Sequence, residues 1–296
     1  MPDRLDRETS VDTANPIGMD GVEFIEFTTP KPQALGHVLE TMGFQPVARH
    51  RAREVLLYRQ GEMNIVVNAH DADLARAVQP ADSAAIAAIG IRVRDAASAY
   101  RTALERGAWA VPTHAEVMEL NIPAIHGVGQ SRIYFVDRYR EFSIWDVDFV
   151  PIPTVDPKPP AVCGLHWFGV VQYIGNDRME DWTEFYREIL GFAPVPDDER
   201  HGIMPKGRVL RSACGSFHLQ LIEPEPGILD LENDEDLRRI GFGTPDVLAA
   251  VKALQQRGMA FVESANVHSS ERGALTVTAL GGAIFELVHD DPAAAS

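Results

Sequence analysis

The sequence predicts an α+β protein of four βαβββ modules paired into two domains, and three observations carry that reading. The segment Leu39-Glu40-Thr41-Met42-Gly43-Phe44-Gln45-Pro46-Val47 returns as Arg187-Glu188-Ile189-Leu190-Gly191-Phe192-Ala193-Pro194-Val195. A second pair recurs at similar distance: Ile89-Gly90-Ile91-Arg92-Val93-Arg94-Asp95 and Ile240-Gly241-Phe242-Gly243-Thr244-Pro245-Asp246. Between the two halves lies the Pro-rich stretch 151–160, which should be extended and stiff. Self-similarity of this kind marks repeated supersecondary units.

The elements follow in chain order. Residues 1–17 read as a flexible polar tail, 18–150 as a first paired domain and 151–160 as the linker. Residues 161–290 read as a second paired domain, with 291–296 as a closing tail. The modules begin near Val22, Ile86, Leu165 and Arg239. In the third, Met179, Trp182, Phe185, Tyr186, Ile189 and Leu190 lie on one helical stripe. Gly43 and Gly191 suit left-handed C-caps, and the Phe after each opens a strand. In the second and fourth modules the Ile-Gly strand leads into a helix ending at Arg106-Gly107 or Arg257-Gly258. The alternation of Phe217-His218-Leu219-Gln220-Leu221-Ile222 predicts a half-buried strand. Phe142–Val147 is matched to Ala283–Val288 as the last strand of each domain, and the acidic run from Glu223 to Asp236 is a solvated loop.

Composition excludes several classes of function. The chain has 296 residues, 45% of them hydrophobic, enough for two modest cores because single cores stop growing at roughly 250–300 residues. The net charge of −16 disfavours nucleic acid and anionic membranes as partners. Cys163 and Cys214 make no disulfide framework and read as buried core thiols. No apolar run approaches a membrane span, and the charged start lacks the apolar stretch of a signal peptide, so a cytoplasmic location is expected. Paired-module proteins often associate, so a homo-oligomer is also an expectation.

Two βαβββ modules curl into a cup lined by alternate residues of the first and last strands. In the second domain the inward candidates are His166, Gln220, Arg239 and Glu286. The corresponding positions of the first domain are roughly Glu23, Ala88 and Asp146, which offer no imidazole, so the first cup is expected to be structural. His166 with Glu286 suits Fe(II), Mn(II) or Zn(II). A carboxylate between Phe285 and Leu287 is costly to bury unless paired or bound to a cation. The remaining histidines, His218 among them, show no comparable pairing with a cup-facing carboxylate.

Asp20-Gly21-Val22-Glu23-Phe24-Ile25-Glu26-Phe27, Val55-Leu56-Leu57-Tyr58-Arg59-Gln60-Gly61, Phe135-Val136-Asp137-Arg138-Tyr139 and Trp145-Asp146-Val147-Asp148-Phe149 resemble the amino-terminal domain of bacterial 4-hydroxyphenylpyruvate dioxygenases. These belong to the vicinal oxygen chelate (glyoxalase/bleomycin resistance/dioxygenase) superfamily. The resemblance covers most of 18–155 and extends more loosely to Val288; similar halves occur fused to a barrel in some 3-dehydroshikimate dehydratases. It implies a glyoxalase-like fold in both domains, and a non-haem Fe(II) oxygenase acting on an aromatic 2-oxo acid or related phenolic acid. The family's iron is held by His, His and Glu. The first His matches His166 and the Glu matches Glu286, but the second His falls at Arg239, preceded by Arg238 where the family has Gln. The ring-clamping Phe is Ile284 and a further pocket Gln is Val277.

An arginine stays protonated and cannot coordinate a metal. Gln220, at a position that serves as a ligand in glyoxalase relatives, is then the substitute third ligand with His166 and Glu286. In that arrangement Arg239 swings towards Asp234–Asp236. The other arrangement has Arg239 pairing with Glu286 in place of the metal. Arg239, Arg238 and Ser212 are the candidate contacts to a small aromatic or organic acid. The functions left open are an iron oxygenase, a metal-dependent lyase or isomerase with Glu286 as proton shuttle, and a metal-free organic-acid or drug-binding protein.

Overall fold

In the computed structural model the four predicted modules are present and join into two sheets. The structure describes residues 14–69, 83–112, 120–196, 202, 207–224 and 235–291. Module one comprises β1 (Met19–Thr28), α1 (Pro32–Thr41), β2 (Gln45–His50), β3 (Val55–Gln60) and β4 (Met63–Asn68). Module two comprises β5 (Ala85–Val93), α2 (Ala96–Glu105), β6 (Ala124–His126) and β7 (Arg132–Val136), followed by α3 (Ile144–Asp148) and β8 (Phe149–Pro151). Module three comprises β9 (His166–Tyr173), α4 (Met179–Leu190), β10 (Ala193–Pro194), β11 (Arg208–Arg211) and β12 (His218–Ile222). Module four comprises β13 (Asp236–Thr244), α5 (Val247–Gln256), β14 (Gly273–Leu275) and β15 (Phe285–His289).

In every module the first strand pairs in parallel with the last. Two modules then join through their first strands, which run antiparallel: β1 with β5, and β9 with β13. The sheet orders are β6-β7-β5-β1-β4-β3-β2-β8 and β10-β11-β12-β9-β13-β15-β14. In the even-numbered modules the first strand after the helix shrinks to one bridge, Ala110 to Ile125 and Phe261 to Thr276.

Local signals explain the helices. Asp95 and Asp246 occupy matching N-caps and accept from the backbone N–H of Ser98 and Ala249 at 2.7 and 2.9 Å. Gly191 ends α4 at φ +77°, the left-handed conformation expected of it, and Gly43 lies at φ +101° just past α1. The helix-bearing faces of the two sheets share one apolar core. Phe242 is its hinge: its ring stacks on Trp167 (5.6 Å between centroids) and meets Phe285 (5.6 Å) and Phe44 of the first domain (5.8 Å). Each even-module helix also caps a helix of the other domain. Arg257 donates to the carbonyls of Glu40 and Thr41 at the end of α1, and Arg106 to that of Glu188 near the end of α4. Orphan carbonyls and the negative end of the helix dipole favour a cation there.

Three expectations need correction. Phe142–Val147 is not a strand: Ser143 and Asp146 form a capping box that starts α3, and only Phe149–Pro151 pairs, with β2. The counterpart of β15 is instead β7. Residues 14–17 are not a tail, because Asn15 bonds both the N–H and the C=O of Met19 and Ile17 is buried; residues 1–13 and 292–296 lie outside the described residues. Cys163 is exposed and Cys214 is only partly buried. The Pro-rich stretch is also anchored to the first domain, since Pro159 and Pro157 accept bonds from Gly61 N–H and from Arg59. Among the described residues no helix is long and apolar enough to cross a membrane.

Replacing Phe242 by Ala removes a fully buried ring at the junction of both sheets and should cost about 3–5 kcal/mol. Urea unfolding measures this; a loss under about 1 kcal/mol would show that the two domains do not share a core there.

Candidate functional site in the second cup

Register places the cup residues in rows across the second sheet. One row runs Arg211, His218, Gly169, Gly241, Glu286, Leu275. The next runs Val209, Gln220, Val171, Arg239. A third holds His166, Gly243 and Val288. Period-two alternation therefore puts Gln220, Arg239 and Glu286 on one face, as the sequence suggests, and a register shift between Gly241 and Phe242 brings His166 to it. Gly169 and Gly241 leave a bare floor between His218 and Glu286, which are three strand spacings apart, at most about 14 Å. The walls of the small cavity over this floor are Phe168, Val171, Val209 and Val288, with His218, Gln220 and Glu286. Its volume is about 30 Å³, room for roughly one water.

Arg239 and Glu286 form a buried ion pair, with Nε 3.0 Å from Oε2 and side chains only 5% and 7% exposed. Gly202 closes over the carboxylate: a Cβ added there would lie 2.6 Å from Oε1. Of the two pairings left open by the sequence for Arg239, the structure shows the one with Glu286. Arg239 does not lean on the acidic loop, of which Asp234 lies outside the described residues. Arg238 is the residue that turns to that loop, with its Nε 2.6 Å from Asp236 and its guanidinium over the Tyr173 ring.

His166 sits at the end of its row and is occupied. Nδ1 lies 2.9 Å from the Gly164 carbonyl and Nε2 lies 2.9 Å from Asp290 Oδ2. Both neighbours are acceptors, so this geometry favours the protonated ring, in which both nitrogens donate. Burial works against that charge, but the bonds to Asp290 and to the Gly164 carbonyl, with the attraction of Asp290 and Asp291, raise the pKa above the ordinary histidine value. Ser212 lies in the turn between β11 and β12, where its hydroxyl accepts from Phe217 N–H; it is not among the cavity-lining residues.

These residues do not fit an iron centre as arranged. Glu286 carries the guanidinium of Arg239, and both nitrogens of His166 are engaged by Gly164 and Asp290. Among the described residues no three His, Cys, Asp or Glu side chains gather as a metal would require. Arginine cannot replace the missing ligand.

Sequence reasoning missed His218. It is stacked on Phe168 (4.4 Å between centroids) and buried. Its Nε2 accepts from Arg211 Nε at 3.3 Å while Nδ1 faces the Phe168 carbonyl, which makes it the neutral tautomer. The signal was present: His218 stands two residues before Gln220 on one alternating strand and must share its face.

The first cup is filled where the second has its bare floor. By register Phe24 stands where Gly169 stands, Ala88 for Arg239, Tyr134 for Glu286, Val66 for Gln220 and Gly21 for His166. The Phe24 ring lies over Gly90, and Trp145, Phe149 and Leu57 complete an apolar plug. The expected equivalents Glu23 and Asp146 are misplaced. Asp146 caps α3, and Glu23 sits beside a bulge of β1. Glu23 accepts from Arg92 (2.6 Å), Trp145 (2.6 Å) and Asn64 (3.3 Å).

Paired βαβββ modules with an open cup define a vicinal oxygen chelate protein. Family models agree: the hydroxyphenylpyruvate dioxygenase N-terminal domain matches residues 13–150, and the glyoxalase/bleomycin resistance protein/dioxygenase superfamily matches 164–287. Hemolysin VllY of Vibrio vulnificus is 33% identical over 271 residues, 87% of this chain and 76% of its own. The 4-hydroxyphenylpyruvate dioxygenase of Pseudomonas aeruginosa is 30% identical over 269 residues, 87% of this chain and 75% of its own. The chain belongs to the 4-hydroxyphenylpyruvate dioxygenase family. A solved xylose isomerase-like TIM barrel/4-hydroxyphenylpyruvate dioxygenase fusion protein has the same fold (TM-score 0.72, 23% identity), covering 94% of this chain, which spans 51% of that one.

Breaking the buried pair from one side leaves an uncompensated charge. Arg239→Met should cost about 3–5 kcal/mol, whereas Arg239→Met with Glu286→Leu should lie within about 1 kcal/mol of wild type, as judged by urea unfolding. A harmless single substitution would show that the pair is solvated.

The raised pKa of His166 fixes the sign of a pH effect. Its stabilisation is complete below the unfolded value of about 6.5 and is lost as pH rises through the higher folded value. Stability measured from pH 6 to 9 should therefore fall more steeply in wild type than in His166→Gln. Parallel curves would mean that the imidazolium does not form.

Proposed function

We propose that this chain is a metal-independent member of its family that binds a small organic acid in the second cup. The buried Arg239–Glu286 pair is the observation that carries this reading. A guanidinium stays charged and engages carboxylates through a planar fork, so Arg239 takes the ligand's acid group while Glu286 acts as its counter-ion in the ligand-free state. The apolar walls favour an acid with an aromatic or branched body, and the Gln220 amide adds a donor above the glycine floor. With only about 30 Å³ available, the ligand must displace Gly202 from above Glu286.

The second reading follows the relatives: an Fe(II) oxygenase acting on an aromatic 2-oxo acid or related phenolic acid. It is supported by the 30% identity to the Pseudomonas aeruginosa dioxygenase. It requires Glu286 to leave Arg239 and His166 to lose a proton and leave Asp290.

Calorimetry with phenylpyruvate in the presence of a chelator separates the two. The proposed function predicts saturable binding that weakens at least tenfold in Arg239→Gln. Anaerobic Fe(II) titration should show Arg239→His binding at least tenfold more tightly than wild type, about 1.4 kcal/mol for an added ligand. Fe(II)-dependent oxygen uptake by the wild type with phenylpyruvate would sink the metal-independent reading.

A further inference from the structure

A cavity much larger than that of the second cup lies in the first domain, with a volume of about 600 Å³. It opens between the start of α2 and the chain segments around Leu120–Pro123 and Val136–Ile144. That volume lies within the range of small-molecule sites, roughly 300–1,000 Å³. Its lining is mostly apolar; the half-buried Tyr100 gives one aromatic wall, backed edge to face by the fully buried Phe135 (6.4 Å between centroids, 62°). Leu120, Ile122 and Ile144 complete the apolar surface.

Two charged side chains reach this cavity, and their partners distinguish them. Asp137 is engaged, its Oδ2 accepting from Ala96 N–H at 3.1 Å at the start of α2. Arg138 is exposed, and among the described residues its guanidinium makes no ion pair. An aromatic wall with one uncommitted guanidinium at its edge matches an amphipathic anion with a ring body and a single acid group.

We infer that the first domain carries a second small-molecule site, which binds an aromatic monocarboxylate with its ring against Tyr100 and its carboxylate at Arg138. The site shares no residue with the second cup and stands whether or not that cup binds a ligand. Nothing in the plugged first cup is needed for it.

Calorimetry with 2-naphthoate, and with 2-naphthamide as its uncharged counterpart, tests this on the whole chain. Ala97 and Asn121 are exposed residues on opposite walls, so Ala97→Phe and Asn121→Trp should fill the cavity without harming the fold. Each should weaken naphthoate binding at least tenfold at an unchanged melting temperature. Arg138→Gln should weaken naphthoate about fivefold and leave naphthamide unaffected, while Arg239→Gln changes neither. Absence of saturable naphthoate binding to the wild type overturns the inference. So does undiminished binding to both filled variants, equal loss of acid and amide in Arg138→Gln, or loss of binding in Arg239→Gln, which would move the ligand to the second cup.

Discussion

A guanidinium and a carboxylate buried side by side constrain the rest of the second cup. Neither Arg239 nor Glu286 could be held in so dry a place alone, because the desolvation of each charge is offset only by the other. Their pairing lets Gly202 close over the carboxylate, shrinks the cavity to the size of a water, and leaves His166 to find its partner at Asp290. In the family this chain belongs to, a resemblance puts a metal at Glu286. In this structure Arg239 of the neighbouring strand pairs with that carboxylate, its Nε 3.0 Å from Oε2.

The two cups show how a duplicated scaffold diverges. Both halves place the same strand positions inward, because the parallel pairing of first and last strands is common to all four modules. What separates them is side-chain volume on the floor. Phe24 fills the first cup and covers Gly90; Gly169 and Gly241 leave the second bare. Aromatic packing turns one cup into a core, while the same backbone in the other keeps His218, Gln220 and Glu286 around its floor.

The domains are held together by two kinds of contact. Phe242 joins rings from both sheets, and Arg106 and Arg257 cross to the carbonyl ends of helices in the other domain. These arginines fall at equivalent points of the repeat, each just before a glycine, so the duplication supplied a matched pair of caps.

Much of the architecture was legible in the sequence. The duplicated Gly-Phe-x-Pro-Val, the paired Ile-Gly strands and the alternation of Phe217–Ile222 determine module number, order and the faces of Gln220, Arg239 and Glu286, since period and turn chemistry are local properties of the chain. Local pattern failed at Phe142–Val147, where a Ser143–Asp146 capping box outweighs a strand-like run, and at Glu23, where a bulge shifts the register by one. Only the tertiary structure decided which partner each charge takes. Glu286 is 47 residues from Arg239 in sequence, and His166 is 124 from Asp290. Sequence fixes the faces on which such groups lie, but whether a carboxylate meets a metal, an arginine or water depends on distances between strands that only packing sets.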